Sequence, residues 1–494
     1  MLVSKNLQEN TQIIKDTLRD CDDVVYRNIE IGKDKTRASI IFIDGLVDKI
    51  VISEFAIESL LNTEDLKSNL GNIKANIAEK ASLQHLAIHD VKEEEDLNKV
   101  IDFILAGETI LLIDGSNKAL ILSTRAWPAR GVEEPQTETV VKGPRDGFTE
   151  TIRFNTALVR RRIRDPKLKI KTLKVGRRSK TDVAIMYIED IVNEKLLKEV
   201  FKRIESIDID AVGESTTLEF LIEGNYLSPF PQTESTERPD AVAASILEGR
   251  VAILVDNTPF AILVPTTIGT LFQSTEDYYT KWPMASITRG VRYVAAFLTV
   301  LSPALYIAVT SFHPGLIPSV LAFYVAASRV NVPFPAVVES FLMELTIELL
   351  RESGTRMAGP IGTTIGIVGG IIIGQAAVEA GIVSPLKIII VAVTTISFFA
   401  ISNYEWALSL RVIRFIFMFL AAIFGLYGVM LGIVILMTHF AKLESFGIPF
   451  ASPYSGLGLK DGDLKDTLVK APPQKLQYRP KFTFPKDKRR YRRR

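Results

Sequence analysis

Two kinds of hydrophobic pattern divide this chain. From residue 1 to about 285, apolar residues come in short strand-length runs broken by charges and turn formers. From 288 to about 440 they come in runs long enough to cross a bilayer. In the first region, Ala38-Ser-Ile-Ile-Phe-Ile reads as a strand. An acidic turn at Asp44-Gly45 follows, then a helical pattern to about Leu61. Val183-Ala-Ile-Met-Tyr-Ile repeats this, with Glu189-Asp190 as its turn and helical periodicity to about Ile204.

The order of elements continues in both places. A short helix, Asp96 to Ala106, leads into a hairpin of Gly107–Asp114 with Ala119–Leu122. Asp240 to Glu248 leads into Gly249–Asp256 with Ala261–Val264. Asp114-Gly115 and Asp256-Asn257 suit tight turns. The offset is about 142 to 145 residues throughout, which indicates an internal repeat. The predicted fold is a duplicated α/β N-terminal domain, residues 1–125 and 126–270 with a linker. An α-helical polytopic membrane domain, 271–440, and a basic tail, 441–494, follow. The linkers are the turn-rich stretches Trp127–Pro135 and Lys142–Gly147. Lys167–Val175 alternates strictly, as a half-buried strand with one basic face does, and the basic run Arg160, Arg161, Arg162 and Arg164 leads into it.

The membrane half carries its own punctuation. Tyr278, Tyr279 and Trp282 beside Lys281, Arg289 and Arg292 form an interfacial pattern. Spans are expected at Tyr293–Phe312, Ile361–Val383, Pro385–Ile401 and Val412–His439. Two doubtful segments, 315–327 and 336–352, bring the range to four to six. Ser340, Glu344, Glu348 and Glu352 share one helical face. Carboxylates stacked there are costly near lipid unless the face meets water, ions or partners. Either the helix lies in the interface with its acidic edge wet, or several copies turn that edge to a water-filled path as an acidic ring. Glu344, Glu348 and Ser340 are therefore the pore candidates. Glu352 can pair with Arg356, and Glu339 points away from Glu348. Gly362, Gly366, Gly370 and Gly374 form a GxxxG ridge for close helix packing, within or between subunits. Glu379 lies near a span end.

Composition adds little to this and removes much. A net charge of +2 and 47% apolar residues average two unlike halves. The single cysteine, Cys21, allows no internal disulfide and fits a reducing compartment. The N-terminus lacks the apolar core of a signal peptide, so the α/β half is expected in the cytoplasm. The basic C-terminus, PPQKLQYRPKFTFPKDKRRYRRR from Pro472, is expected to be solvated on the same side, with anionic headgroups as a second possibility. Both termini inside require an even number of crossings. No phosphate-binding loop, dinucleotide fingerprint or nucleophile elbow occurs, and His85 with His89 lacks the further ligands of a zinc site. No enzyme activity, cofactor or metal is expected.

Five blocks carry a resemblance: GRVAILVDNTPFA from Gly249, KGPRDGFTE from Lys142, NTALVRRR from Asn155, SFHPGLIP from Ser311 and ELLRESGTRMAGP from Glu348. They resemble the A subunit of GerA-type spore germination receptors, across about residues 10 to 455. The resemblance implies a multi-pass protein of the spore inner membrane, with its N-terminal domain on the core side. It implies partners: a transporter-like B subunit that binds the nutrient and a lipoprotein C subunit. It implies a homo-oligomer, a pentamer, that forms a ligand-gated cation channel and starts germination by releasing monovalent cations. Two rival readings are a non-conducting signalling scaffold and a monomeric ion-coupled transporter using Glu379 or Glu344; nucleic acid is not an expected partner.

Overall fold

A computed structural model describes residues 1–31, 35–53, 91–126, 135, 138, 140–356, 370, 374–455 and 463–491. The chain separates into two compact units. Unit 1 comprises Met1–Gly224, Thr233–Pro265 and Gln477–Arg494, and unit 2 comprises Asn225–Gln232 and Thr266–Leu476. His85, His89, Gly362, Gly366 and most of the Ile361–Val383 segment lie outside the described residues, as do all but Pro135 of the Trp127–Pro135 linker.

Unit 1 holds two five-stranded antiparallel sheets. The first orders β1 (Val24–Ile31), β2 (Thr36–Ile43), β4 (Thr109–Ile113), β5 (Ala119–Leu122) and β3 (Val91–Glu94). The second orders β6 (Leu168–Val175), β7 (Thr181–Ile188), β9 (Val251–Val255), β10 (Ala261–Val264) and β8 (Glu234–Thr236). The central strands are continuous runs of Ile, Leu and Val because both faces are covered. Helices α1 (Leu7–Thr17) and α2 (Leu97–Leu105) accompany the first sheet. Helices α3 (Ile152–Arg162), α4 (Glu194–Glu205), α5 (Ser215–Ile222) and α6 (Pro239–Leu247) accompany the second.

The sheets match in detail as well as in order. Asp114 Oδ1 accepts from Leu7 N (3.2 Å) and Asp256 Oδ1 from Ile152 N (3.0 Å), so each hairpin turn caps the first helix of its half. Asn10 donates to Ser4 O and accepts from Ser4 N at 2.6 and 2.8 Å. Asn155 does the same with Thr149, at the same two distances. Gly115 (φ +85) and Asn257 (φ +69) take the left-handed turn conformation.

The halves of unit 1 are joined along β6. Cys21 makes a parallel bridge to Ile170; Asp22 N donates to Ile170 O (2.9 Å) and Ile170 N to Asp20 O (3.1 Å). The basic face of β6 is divided: Lys169 is buried, with Nζ 3.4 Å from Thr17 O, while Lys167, Lys171 and Lys174 stay about half exposed or more, Lys171 reaching Asp20 at 3.8 Å. The loop carrying Asp20 and Asp22 supplies the opposite charge. Gly45, at φ +86, lies under α3: a Cβ there would stand 2.9 Å from Arg153 O.

The C-terminal segment is a correction. Low apolar content predicts a solvated tail, yet residues 477–491 fold onto unit 1. Phe482 is buried, and Thr483 Oγ1 donates to Glu248 O (2.9 Å). Lys486 N donates to Ile191 O (2.9 Å), and Arg490 pairs with Glu248 (3.0 Å). Glu194 at the start of α4 and Glu248 just after α6 answer its cations, which composition alone cannot reveal.

Unit 2 is helical: α7 (Trp282–Ser311), α8 (Ser319–Ser328), α9 (Ala336–Arg356), α10 (Pro385–Phe399), α11 (Tyr404–Phe424) and α12 (Leu426–Lys442). Its core joins Ala304 and Ile307 of α7, Leu410, Phe417 and Met418 of α11, and Val429 and Phe440 of α12. Among the described residues, α7 and α11 are long and apolar enough to cross a membrane by length and composition. The expected single span Val412–His439 is instead two helices, broken at Gly425 with φ +61 and ψ −138, a conformation open only to glycine. Arg289 and Arg292, expected at an interface, are buried against Asp277. Arg289 NH2 and Arg292 NH1 each lie 2.9 Å from Asp277 Oδ2.

Candidate functional site

Helix α9 reads AVVESFLMELTIELLRESGTR, and its polar residues fall on the side that faces the other helices. Ala336, Glu339, Ser340, Met343 and Glu344 are buried, while Val338, Leu342, Leu345 and Leu349 are exposed. That is the inverse of a soluble amphipathic helix. It corrects the expectation of a wet acidic edge for the first half of the stripe only: Glu344 is 1% exposed and Ser340 0%, whereas Glu348 is partly exposed and Glu352 exposed. Charges buried this deeply require partners.

The partners come from α10 and α11. Ser384 caps α10 and Pro385 opens it, which sets Lys387 in the first turn. Asn403 caps α11 by accepting from Trp406 N at 2.9 Å. Arg411 and Arg414, three residues apart, then share a face toward α9. Glu344 receives Arg414 NH1 at 3.2 Å and Lys387 Nζ at 3.8 Å. Glu348, about a quarter exposed, receives Arg351 at 2.7 Å, Arg411 at 3.0 Å and Arg414 at 3.9 Å. The Arg351 guanidinium stacks on Phe398, 4.5 Å from its centroid.

Glu339 has a separate anchorage. Its Oε1 accepts from Ser384 N and Ser384 Oγ, both at 2.6 Å, at the N-terminus of α10. Its Oε2 accepts from Tyr306 OH of α7 at 3.3 Å. Ser340 Oγ, by contrast, has no hydrogen-bond partner among the described residues.

The structure thus brings Glu344 and Glu348 together through shared Arg414, with Ser340 beside them on the buried face. Sequence reading missed Glu339, Lys387, Arg411 and Arg414. The available signal was isolated cations inside apolar runs, Lys387 within PLKIIIVAV and Arg411 with Arg414 in LRVIRF. Of the glycine ridge, Gly370 and Gly374 are described. A Cβ at Gly370 would meet nothing within 4 Å among the described residues, and one at Gly374 only Ile388 Cγ2 at 4.0 Å. Arg356, the expected partner of Glu352, has no described side chain.

Unit 1 offers buried acids rather than a reactive site. Burial pushes Glu138, which accepts from Thr236 Oγ1 at 2.6 Å, up to about 7. Burial also raises Glu219, held by Thr233 and Ser235, and the Cys21 thiol. Among the described residues no cluster of His, Cys, Asp or Glu could hold a metal ion.

Comparison with known proteins reaches almost the whole chain. Residues 12–482 match the family described as Bacillus/Clostridium GerA spore germination protein. Spore germination protein GerLA of Bacillus cereus is 40% identical, over 98% of this chain and 96% of that one. Spore germination protein B1 of Bacillus subtilis (strain 168) is 41% identical over 99% of both chains. The crystal structure of the N-terminal domain of the A subunit of the Bacillus megaterium spore germinant receptor GerK3 is 35% identical. It covers 53% of this chain and 96% of its own, with a TM-score of 0.42.

Proposed function

This chain belongs to the Bacillus/Clostridium GerA spore germination protein family. From that premise we propose that it is the A subunit of a nutrient germinant receptor that oligomerises in the spore inner membrane, as a pentamer, into a ligand-gated cation channel. A transporter-like B subunit and a lipoprotein C subunit would act with it, and the α/β half would lie on the core side. That half is read as a duplication, supported by the matched strand orders and the paired caps of Asp114 and Asp256. The membrane half is read as multi-pass.

One observation carries the proposal: α9 buries Glu339, Ser340 and Glu344 of its polar edge and exposes Val338, Leu342, Leu345 and Leu349. Such a helix is favoured where its surroundings are lipid or another subunit, and where the polar edge serves a path rather than solubility. Glu348, the carboxylate about a quarter exposed, is the first candidate for contact with cations. Glu344 and Ser340 would join the path when their surroundings open.

The test is cation flux from liposomes holding the purified chain, with and without its partner subunits and nutrient. Nutrient-dependent flux that changes ion preference in Glu348→Gln is the expected result. A strictly monomeric protein in detergent that exchanges ions stoichiometrically would instead make it a transporter, and absence of flux from the full receptor would make it a scaffold.

A further inference from the structure

We propose that Lys387 and Arg414 form a latch that holds Glu344 inside the helix bundle, and that releasing this latch is the step that opens the path. Its role as a gate rests on the channel reading above; its existence as a movable contact does not.

Three features point to it. First, among the described residues the packing of α9 on α10 and α11 is thin beside that of α7 on the same two helices. Val337 and Phe341 seat its first turns on the main helical core, and beyond them Met343 and Ile347 pack with Val383 and Val391. Secondly, the two ends of the buried stripe are unequally satisfied. Glu339 accepts three hydrogen bonds, from Ser384 N, Ser384 Oγ and Tyr306 OH. Around Glu344, three atoms have no hydrogen-bond partner among the described residues: Glu344 Oε1, Lys387 Nζ and Arg414 Nε. Ser340 Oγ is a fourth orphan on the same face. A half-satisfied buried network lies close in energy to an alternative that hydrates it, because each orphan gains a partner on opening. Thirdly, the alternative partner is already in place. Arg414 lies 3.2 Å from Glu344 and 3.9 Å from Glu348, so a small shift transfers it outward along α9.

The charge balance gives the latched state its sign. Among the described residues, with Arg329 Nε 3.7 Å from Glu339 Oε2, the contacts join five cations, Arg329, Arg351, Lys387, Arg411 and Arg414, to Glu339, Glu344 and Glu348, and Glu352 acts on Arg411 as a fourth carboxylate. A positive excess repels cations. Moving Arg414 to Glu348, and Lys387 away from Glu344, leaves one carboxylate open to a hydrated cation, with Glu339 as the fixed end of α9.

The latch is read without relying on flux. In full-length protein carrying Cys21→Ser and Ser340→Cys, a charged, water-soluble thiol reagent should modify position 340 slowly. Adding Lys387→Met should speed modification by about tenfold, the equivalent of ~1.4 kcal/mol, and raise nutrient-independent cation flux by a similar factor. Glu344→Gln with Lys387→Met removes both charges of one pair and should return modification close to the starting rate. Should Lys387→Met fail to fold, Glu344→Gln alone, which leaves two cations facing each other, should also speed modification. Unchanged modification in each folded variant overturns the latch, whatever the flux. Faster modification with no flux from the complete receptor upholds the latch and removes the channel reading. Nutrient-gated flux with unchanged modification does the reverse.

Discussion

Arg160 donates through Nε and NH2 to both carboxylate oxygens of Asp23, at 2.9 and 2.8 Å, across the junction of the two sheets of unit 1. Both side chains are almost fully buried, and the third guanidinium nitrogen donates to Leu168 O at 3.2 Å. The pair is bidentate and satisfied, so its geometry fixes how the halves meet.

Removing one member leaves the other as an uncompensated buried charge. Asp23→Asn should cost roughly 3–5 kcal/mol of unfolding free energy. Denaturant unfolding of the full chain, followed by circular dichroism of its α/β half, checks this. A loss below about 1 kcal/mol, the value of an exposed pair, would mean that the junction is held by other contacts.

A pH dependence follows from Glu138. Burial raises its carboxyl to about 7, from an ordinary 4.5, so the folded state favours the protonated form. The stability it contributes is complete below pH 4.5 and is lost as pH rises through about 7, the opposite of a salt-bridged acid. Glu138→Gln should flatten the decline in thermal midpoint between pH 5 and pH 8. An identical slope in the variant would show that other groups carry it; Glu219, raised by burial in the same direction, is the next to test.

The break between α11 and α12 depends on Gly425. A Cβ there would stand 3.0 Å from both Phe312 Cβ and His313 Nε2, in a backbone conformation that side chains avoid. Gly425→Ala should cost roughly 1–3 kcal/mol, read as a lower thermal midpoint in detergent. An unchanged midpoint would indicate that the helices run on as one.

The docked tail predicts protection from trypsin. Phe482 is buried, so Phe482→Ala should cost roughly 3 kcal/mol of local stability. It should also speed cleavage after Lys481, Lys486 and Lys488. Equal cleavage in both proteins would mean that the tail is held by its charges, Arg490 to Glu248 and Lys486 to Glu194.

The sequence by itself determined strands β2, β6 and β7 and the hairpins β4–β5 and β9–β10 of unit 1. Alternation, Asp-Gly and Asp-Asn turns and caps such as Asp96 are local signals, read within a few residues of where they act. It also determined the stripe on α9, because helical spacing places Ser340, Glu344 and Glu348 on one edge. Only the tertiary structure decided which way that edge points, since the cations that neutralise it stand some 40 to 70 residues later, on Lys387, Arg411 and Arg414. The same holds for Arg160, one of four arginines in a basic run until Asp23 meets it from 137 residues away. The apolar run through Gly425 hid a turn, because hydropathy measures burial and is blind to backbone direction. Periodicity specifies a face; the partner that makes burying it favourable comes from distant chain.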